Sequence, residues 1–437
     1  MRGCFKLGDF ERAKAHIDTL LMYLPDNDDY LGMHIEAQMA TGGDKVELLK
    51  SLFEKSKSSL VLRRLLAALD SEKDLDYFKK IMQKDFIKAV RKILPSYFQS
   101  VKELYNCPKK VQVFESLLLD SYEQLEKNNR FAGEQQEETP HSLMFVAYIL
   151  SYHYKKTGKL DKALEHCNFV EEFCPTFVEV YILKAKILKS MLDYESAAKI
   201  LKDNHTIDKA DRYLTNITAK YLLLNNQIQE GDECFKSFVF QSSSVEKSIH
   251  NLQKSFYEIW LGKSYIRQRK WGRGLRQFKF VYQHVCEIAE DQLEFFQYML
   301  RKTSLVSLVE VVKFNTDTFK SDLRFVKGLG YLLKYGIRHL RNASIEEIKI
   351  KAIVAADPTE DEKKLKKTLE RRDKHGVVTC DKELAEELDL EGRKSLDTLP
   401  LAQAAQLLLK TRTQDPSLKR LAWNSLFDYY FHNSSSF

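Results

Sequence analysis

Three groups of residues in this sequence are of a type and spacing that could do chemistry. The hexapeptide Arg269-Lys270-Trp271-Gly272-Arg273-Gly274 fits R-x-x-G-x-G. In acetyl-CoA-dependent enzymes such a loop grips pyrophosphate, because backbone N–H groups following a strand converge at a helix N-terminus. A second group is cationic: Lys186 and Lys220, with Lys189 one turn beyond the first and Arg212 just upstream of the second. Cations brought to one surface repel each other until an anion joins them. This set therefore predicts a multiply charged anion as ligand. The third is a run of Lys263, Arg267, Arg269, Lys270, Arg273, Arg276 and Lys279, with no acidic residue between Leu261 and Phe280. It predicts contact with a polyanion such as ribosomal RNA or an acidic protein surface. Glu165-His166-Cys167 offers metal-ligand types, but adjacent side chains on a helix point in different directions, and no metal is expected there. Phosphate-loop, H-E-x-x-H and G-x-S-x-G signatures are absent.

The elements that must position these residues are helices. Sixteen Gly and eight Pro in 437 residues are about half the roughly 12 % that these chain-breakers usually make up. Too few remain for the many turns of a sandwich or barrel. A hydrophobic content of 44 % and a charged content of 30 % exclude wholesale disorder. No apolar run reaches the 18 or so residues that span a bilayer, and the first residues, MRGCFKLGDFERAK, contain no signal-peptide core. The seven cysteines, Cys4, Cys107, Cys167, Cys174, Cys234, Cys286 and Cys380, contain no C-x-x-C pair and fit free thiols in a reducing compartment.

An internal repeat organises these helices. Gly158, Ala163 and Pro175 recur as Gly8, Ala13 and Pro25 at the same offsets. This is the tail of a tetratricopeptide repeat, a 34-residue helix–turn–helix unit. Gly permits the turn, Ala lets the second helix approach the first, and Pro stops it. Stepping one such unit at a time from Ala163 gives Ala197 and Gly231, and the small position of the first helix recurs as Ser151, Ala185 and Ala219. After an insertion near 240–250, a fourth unit carries Gly262, Tyr265, Gly274 and Phe278. In that register Lys186 and Lys220 lie one repeat apart and share position nine, which faces the concave groove. The R-x-x-G-x-G loop then follows a helix rather than a strand, with Gly272 as the inter-helix turn and Gly274 as a close helix contact. The expected fold is an all-α, right-handed superhelical tetratricopeptide-repeat solenoid. Its expected parts are a partial repeat over 1–34, off-register helices over 35–141 and repeats over 142–340. A charged linker or helix over 341–395 and the start of a C-terminal helical region over 396–437 complete it. Because Met1 falls midway through a leading helix, the array is expected to start inside a longer solenoid.

At these residues the sequence resembles a known family, the auxiliary, scaffold subunit of the N-terminal acetyltransferase A complex. The resemblance is carried by VEVYILKAKILKSMLDYESAAKILKDNHTIDKADRYLTNITAKYLLL and, most specifically, by D-Q-x-x-F-x-x-Y-x-x-R-K from Asp291 to Lys302. It extends upstream through LVLRRLLAAL and VKELYNCPKKVQVFESLLLDSYE and downstream through LPLAQAAQLLLK and AWNSLFDYYF. It implies a non-catalytic subunit that wraps a small catalytic acetyltransferase as a heterodimer. Such a subunit tunes its enzyme for nascent-chain N-termini at the ribosome, in the cytoplasm, with no membrane or DNA contact. It also implies inositol hexakisphosphate as a structural ligand, at Lys184, Lys186, Lys189, Arg212, Lys220 and Tyr221. The family carries more N-terminal repeats and a longer C-terminal region than this sequence. A competing expectation is a co-chaperone-like repeat adaptor whose groove lysines clamp acidic peptide tails.

Overall fold

Polar residues stop and start the helices of this chain at short intervals. In the computed structural model, which describes residues 2–70, 72–238, 245–302, 304–309, 311–313, 322–356, 399–409 and 416–434, Asp9, Asn27, Asp44, Ser58 and Asp211 each accept a hydrogen bond from a backbone N–H of the helix they precede. Such N-caps satisfy donors that have no partner within the helix. Pro108 and Pro140 occupy the first helical position of two others, where a missing N–H is harmless. No strand occurs among the described residues, and none of the described helices is long and apolar enough to cross a membrane.

The chain divides into two compact units, Met1–Asp193 and Tyr194–Phe437. The first holds α1 (Arg2–Lys6), α2 (Phe10–Tyr23), α3 (Asp28–Ala40), α4 (Lys45–Ser56), α5 (Ser59–Ala68), α6 (Leu75–Arg91), α7 (Tyr97–Val101), α8 (Pro108–Asn128), α9 (Pro140–Thr157), α10 (Leu160–Phe173) and α11 (Val178–Ser190). Its core is aromatic-rich, with Phe78, Phe86, Phe114, Phe145 and Tyr148 buried in one cluster. The second unit holds α12 (Tyr194–His205), α13 (Arg212–Leu224), α14 (Ile228–Phe235), α15 (Val245–Asn251), α16 (Ser255–Arg267), α17 (Trp271–Lys302), α18 (Leu323–Ala356), α19 (Leu401–Leu409) and α20 (Pro416–Ser434). There α16 packs on α17, α17 on α18, and α18 on both α19 and α20. Most of the charged stretch expected over 341–395 lies outside the described residues; its first part, to Ala356, continues α18.

The repeat is visible in the backbone as well as in the side chains. Ala13, Ala163 and Ala197, and Ser151, Ala185 and Ala219, are all fully buried. Gly158, Leu192 and Asn226, each one repeat after the last, adopt left-handed conformations with φ of 83°, 68° and 63°. At each, the next residue's N–H bonds the carbonyl five positions back: Lys159 to Tyr154, Asp193 to Leu188, and Gln227 to Leu222. This is the 6→1 bond of the Schellman helix ending. Arg269 repeats it in the fourth unit, with φ 61° and Lys270 N–H on Tyr265 O. That turn corrects the expectation for Gly272. The left-handed residue is Arg269, and Gly272 lies inside α17.

One buried carboxyl couples this packing to pH. Tyr257 of α16 donates a 2.5 Å hydrogen bond to Asp232 of α14. Burial pushes the Asp232 carboxyl up to about 6, Tyr257 opposes the shift and Glu246 adds to it. An unfolded Asp titrates near 3.9, so between those values the folded chain holds a proton that the unfolded chain has lost. The stabilisation is complete below about pH 4 and is lost as pH rises through about 6. Thermal melts at pH 4.5 and 7.5 are expected to show Asp232→Asn with the smaller difference of the two proteins, by about 2 kcal/mol.

Candidate functional site

The lysines singled out from the sequence are carried by helices whose other faces are core. In the first unit, α11 buries Ile182, Leu183, Ala185, Ile187 and Leu188, which leaves Lys184, Lys186 and Lys189 half-buried between them. Lys186 has its pKa lowered, first by burial and then by the charge of Lys155. Lys155, on the last turn of α9, is lowered in turn by burial, then by Lys189 and Lys156. Among the described residues no carboxylate pairs with Lys155, Lys156, Lys186 or Lys189. Lys155 and Lys186 are thus half-buried within reach of each other and of further like charges, and for these two desolvation and repulsion act in the same direction. An anion placed there would relieve both.

Lys155 was not singled out from the sequence, although the signal was present: it stands one repeat before Lys189. Lys184, also in the set that the resemblance implies, forms an ion pair with Glu171 of α10.

The second unit holds the other half of the predicted set. Arg212 is exposed at the first position of α13, and its guanidinium stands 5.8 Å from the centre of the Phe238 ring. Lys220 Nζ lies 5.0 Å from the Trp260 ring centre and 5.9 Å from that of Tyr221, a cation–π arrangement. Tyr221 itself is 2 % exposed, and burial pushes its hydroxyl up to about 12. Its ring is therefore part of the core of α13. Lys186 and Lys220 do occupy equivalent places, each immediately after a fully buried alanine.

The seven-residue basic run does not form one patch, and the reason is helical geometry. Arg276 is 1 % exposed and paired with Glu246. Arg267 is consumed by structure: its Nε bonds Asn226 Oδ1 at 2.9 Å, and its Nη2 reaches the carbonyls of Leu223 and Leu224. Lys263 lies over Trp260 and Tyr331, and Arg273 near Tyr265; Lys279 is half-buried. Arg269 and Lys270, at the α16–α17 turn, are exposed.

The pyrophosphate-loop reading has no support in the geometry. The loop follows α16, and its glycine serves helix contact: a Cβ on Gly274 would come within 2.8 Å of Ile266. His166 stacks on Tyr154 with rings inclined by 17°, while burial pushes the neighbouring Cys167 thiol up to about 12. These two are packing residues.

Against this geometry, the comparisons with known proteins are consistent. The profile of the family described as "N-terminal acetyltransferase A, auxiliary subunit" matches residues 2–416. The N-terminal acetyltransferase A complex auxiliary subunit NAA15 of Arabidopsis thaliana is 30 % identical over 321 residues, covering 71 % of this chain and 35 % of the plant protein. The mouse N-alpha-acetyltransferase 16, NatA auxiliary subunit, is 28 % identical over 312 residues, covering 70 % of this chain and 36 % of its own. The chain thus spans about a third of the length of the curated relatives it matches. A chain from the solved structure of Naa15/Naa10 bound to HypK-THB superposes with a TM-score of 0.73, at 18 % identity. That match covers 99 % of this chain and 58 % of the other, and establishes the all-α solenoid fold.

Proposed function

The chain belongs to the family of N-terminal acetyltransferase A auxiliary subunits, and from that premise we propose that it is a non-catalytic scaffold for a small acetyltransferase. It holds the catalytic subunit as a heterodimer and selects the arrangement of active-site loops that accepts nascent-chain N-termini. A helical array suits this role because stacked repeats offer an extended surface without contributing a reacting group. The observation that carries the proposal is the family match from residue 2 to 416.

Inositol hexakisphosphate is the proposed structural ligand, with Lys155, Lys156, Lys186 and Lys189 as its contacts in the first unit. The crowded, half-buried charge of Lys155 and Lys186 supports the assignment. In the second unit, taken by itself, Arg212 and Lys220 are proposed contacts for a polyanion. Exposed Arg269 and Lys270 are the proposed contribution of the basic run to ribosome association, and the site of action is the cytoplasm.

The test is co-expression with the catalytic subunit of the same organism, purification through a tag on this chain, and acetyl transfer to a peptide starting Ser-Glu. A one-to-one complex is expected, with activity that disappears when the catalytic chain is stripped away. Inositol hexakisphosphate is expected to raise the melting temperature of this chain, and Lys155→Glu with Lys186→Glu to abolish that rise. Recovery of chaperones with acidic tails, and no acetyltransferase, would instead support the peptide-adaptor reading and overturn the scaffold.

A further inference from the structure

Three helices of the second unit converge on a buried carboxylate that none of the chemistry above employs. Glu258 of α16 is 1 % exposed. Its Oε1 lies 2.9 Å from Nε2 of His284 on α17, itself 2 % exposed, and 3.5 Å from Nδ1 of His250 on α15. The three candidate ligand atoms lie within 4.8 Å of one another. Two polar atoms of this cluster, Glu258 Oε2 and His250 Nδ1, are buried and make no hydrogen bond. Orphaned buried polar atoms are uncommon, and an ionised carboxylate removed from water is costly unless several partners surround it.

We infer that His250, Glu258 and His284 form a binding site for a divalent transition-metal ion, with zinc the best match. Two imidazoles and one carboxylate are a donor set for zinc rather than for calcium or magnesium, which take oxygen ligands. Tetrahedral bonds of about 2.0–2.1 Å separate neighbouring ligand atoms by about 3.3 Å, and the observed 2.9 and 3.5 Å fall on either side of that value. An outer partner is in place as well. Glu287 Oε2 stands 3.5 Å from His284 Nδ1 and is itself held by Gln253 Nε2 at 3.1 Å. A carboxylate on Nδ1 keeps the proton there and turns the Nε2 lone pair toward the ion. The His250 side chain is 21 % exposed, while its Nδ1 is buried like the other two ligand groups.

The placement gives the ion a structural task. Helix α15 belongs to the insertion that breaks the repeat period, and the ion fastens it to the α16–α17 hairpin. Nothing in the spacing announces the site, since the ligands are scattered over three separate helices and form no compact motif.

The test begins with the full chain stripped by a chelator and titrated with Zn²⁺ by calorimetry, then with Co²⁺ by visible spectroscopy. One ion per chain is expected, together with a raised melting temperature. The cobalt form should show tetrahedral d–d bands without thiolate charge transfer. His250→Asn, at the partly exposed position, should fold by circular dichroism and lose the site. Glu287→Gln should weaken it by about 10–100-fold. Cys286→Ser should leave it unchanged. The inference is overturned by a wild-type chain that takes up no stoichiometric Zn²⁺. It is equally overturned by uptake that survives His250→Asn and Glu258→Gln, which would identify an adventitious ion only.

Discussion

Gly262→Val is expected to destabilise the second unit by about 3 kcal/mol or more, the upper end of what overpacking a core costs. At this position even a Cβ would lie 2.8 Å from Phe278 Cε1, 2.9 Å from its Cζ and 3.1 Å from the carbonyl oxygen of Gly274. The ring cannot retreat. Phe278 is fully buried and stacked on Tyr335 with centroids 5.8 Å apart, and Tyr331 closes the other approach at 5.7 Å. The backbone oxygen cannot retreat either without opening α17. A unit of this size loses roughly 2–4 °C per kcal/mol, so a fall of about 6–12 °C in the melting temperature is the expected reading. Gly32→Ala makes the control: it lies within α3 with nothing inside 4 Å of its Cβ. It is expected to be neutral or to stabilise by up to about 1 kcal/mol. A Gly262→Val chain that melts with the wild type would mean that α16 and α17 do not meet at these two glycines.

The second large effect concerns Arg276, the cation that the sequence counted as surface and the fold buried. Glu246→Ala removes a carboxylate partner and weakens the compensation of a guanidinium held in the core. Breaking a buried pair from one side costs about 3–5 kcal/mol, and Glu246 being 22 % exposed places the expected loss near 3. The pairing with Gln277, whose amide donates to the same carboxylate at 2.6 Å, is lost with it. Adding Arg276→Met to Glu246→Ala replaces the charge by an apolar chain of similar length beside Phe280. Well-packed apolar substitutes for buried ion pairs are often neutral or better, so the double variant should regain most of the stability. Urea melts of the two singles and the double check this, and a double variant no better than Glu246→Ala would show that lost packing, not stranded charge, sets the cost.

How much of this was legible in the sequence follows from what each residue does locally. The all-α repeat fold was readable because small residues recur at a fixed period, and that period is set by packing that only small side chains permit. The turns were half-readable. Gly8 and Gly158 announce left-handed endings and Asn226 is a type that tolerates one, whereas Leu192 and Arg269 adopt the same conformation although their types suggest nothing of it. Side-chain direction was the weakest link. Counting charges along 261–280 could not separate Arg276, which the helix turns inward, from Arg269 and Lys270, which the turn leaves in water. Lys184 and Lys186 differ by two positions, enough on a helix to send one to Glu171 and leave the other beside Lys155. The convergence on Glu258 depends on where an insertion folds back, and no local pattern encodes that.

Arg267 has a consequence for how the array behaves as a whole. Its guanidinium closes carbonyls at the end of α13 that a helix terminus leaves open, and it does so from the following repeat, while Ser264 and Gln268 hold Asn226 at the same turn. The turn of this one hairpin is therefore completed by its successor. In a linear array with nearest-neighbour coupling, such a link moves free energy from the repeat to the junction. The stretch from α13 to α17 is then expected to melt as a single cooperative block, which hydrogen exchange would read. Its amides are expected to be protected from hydrogen exchange together and released together.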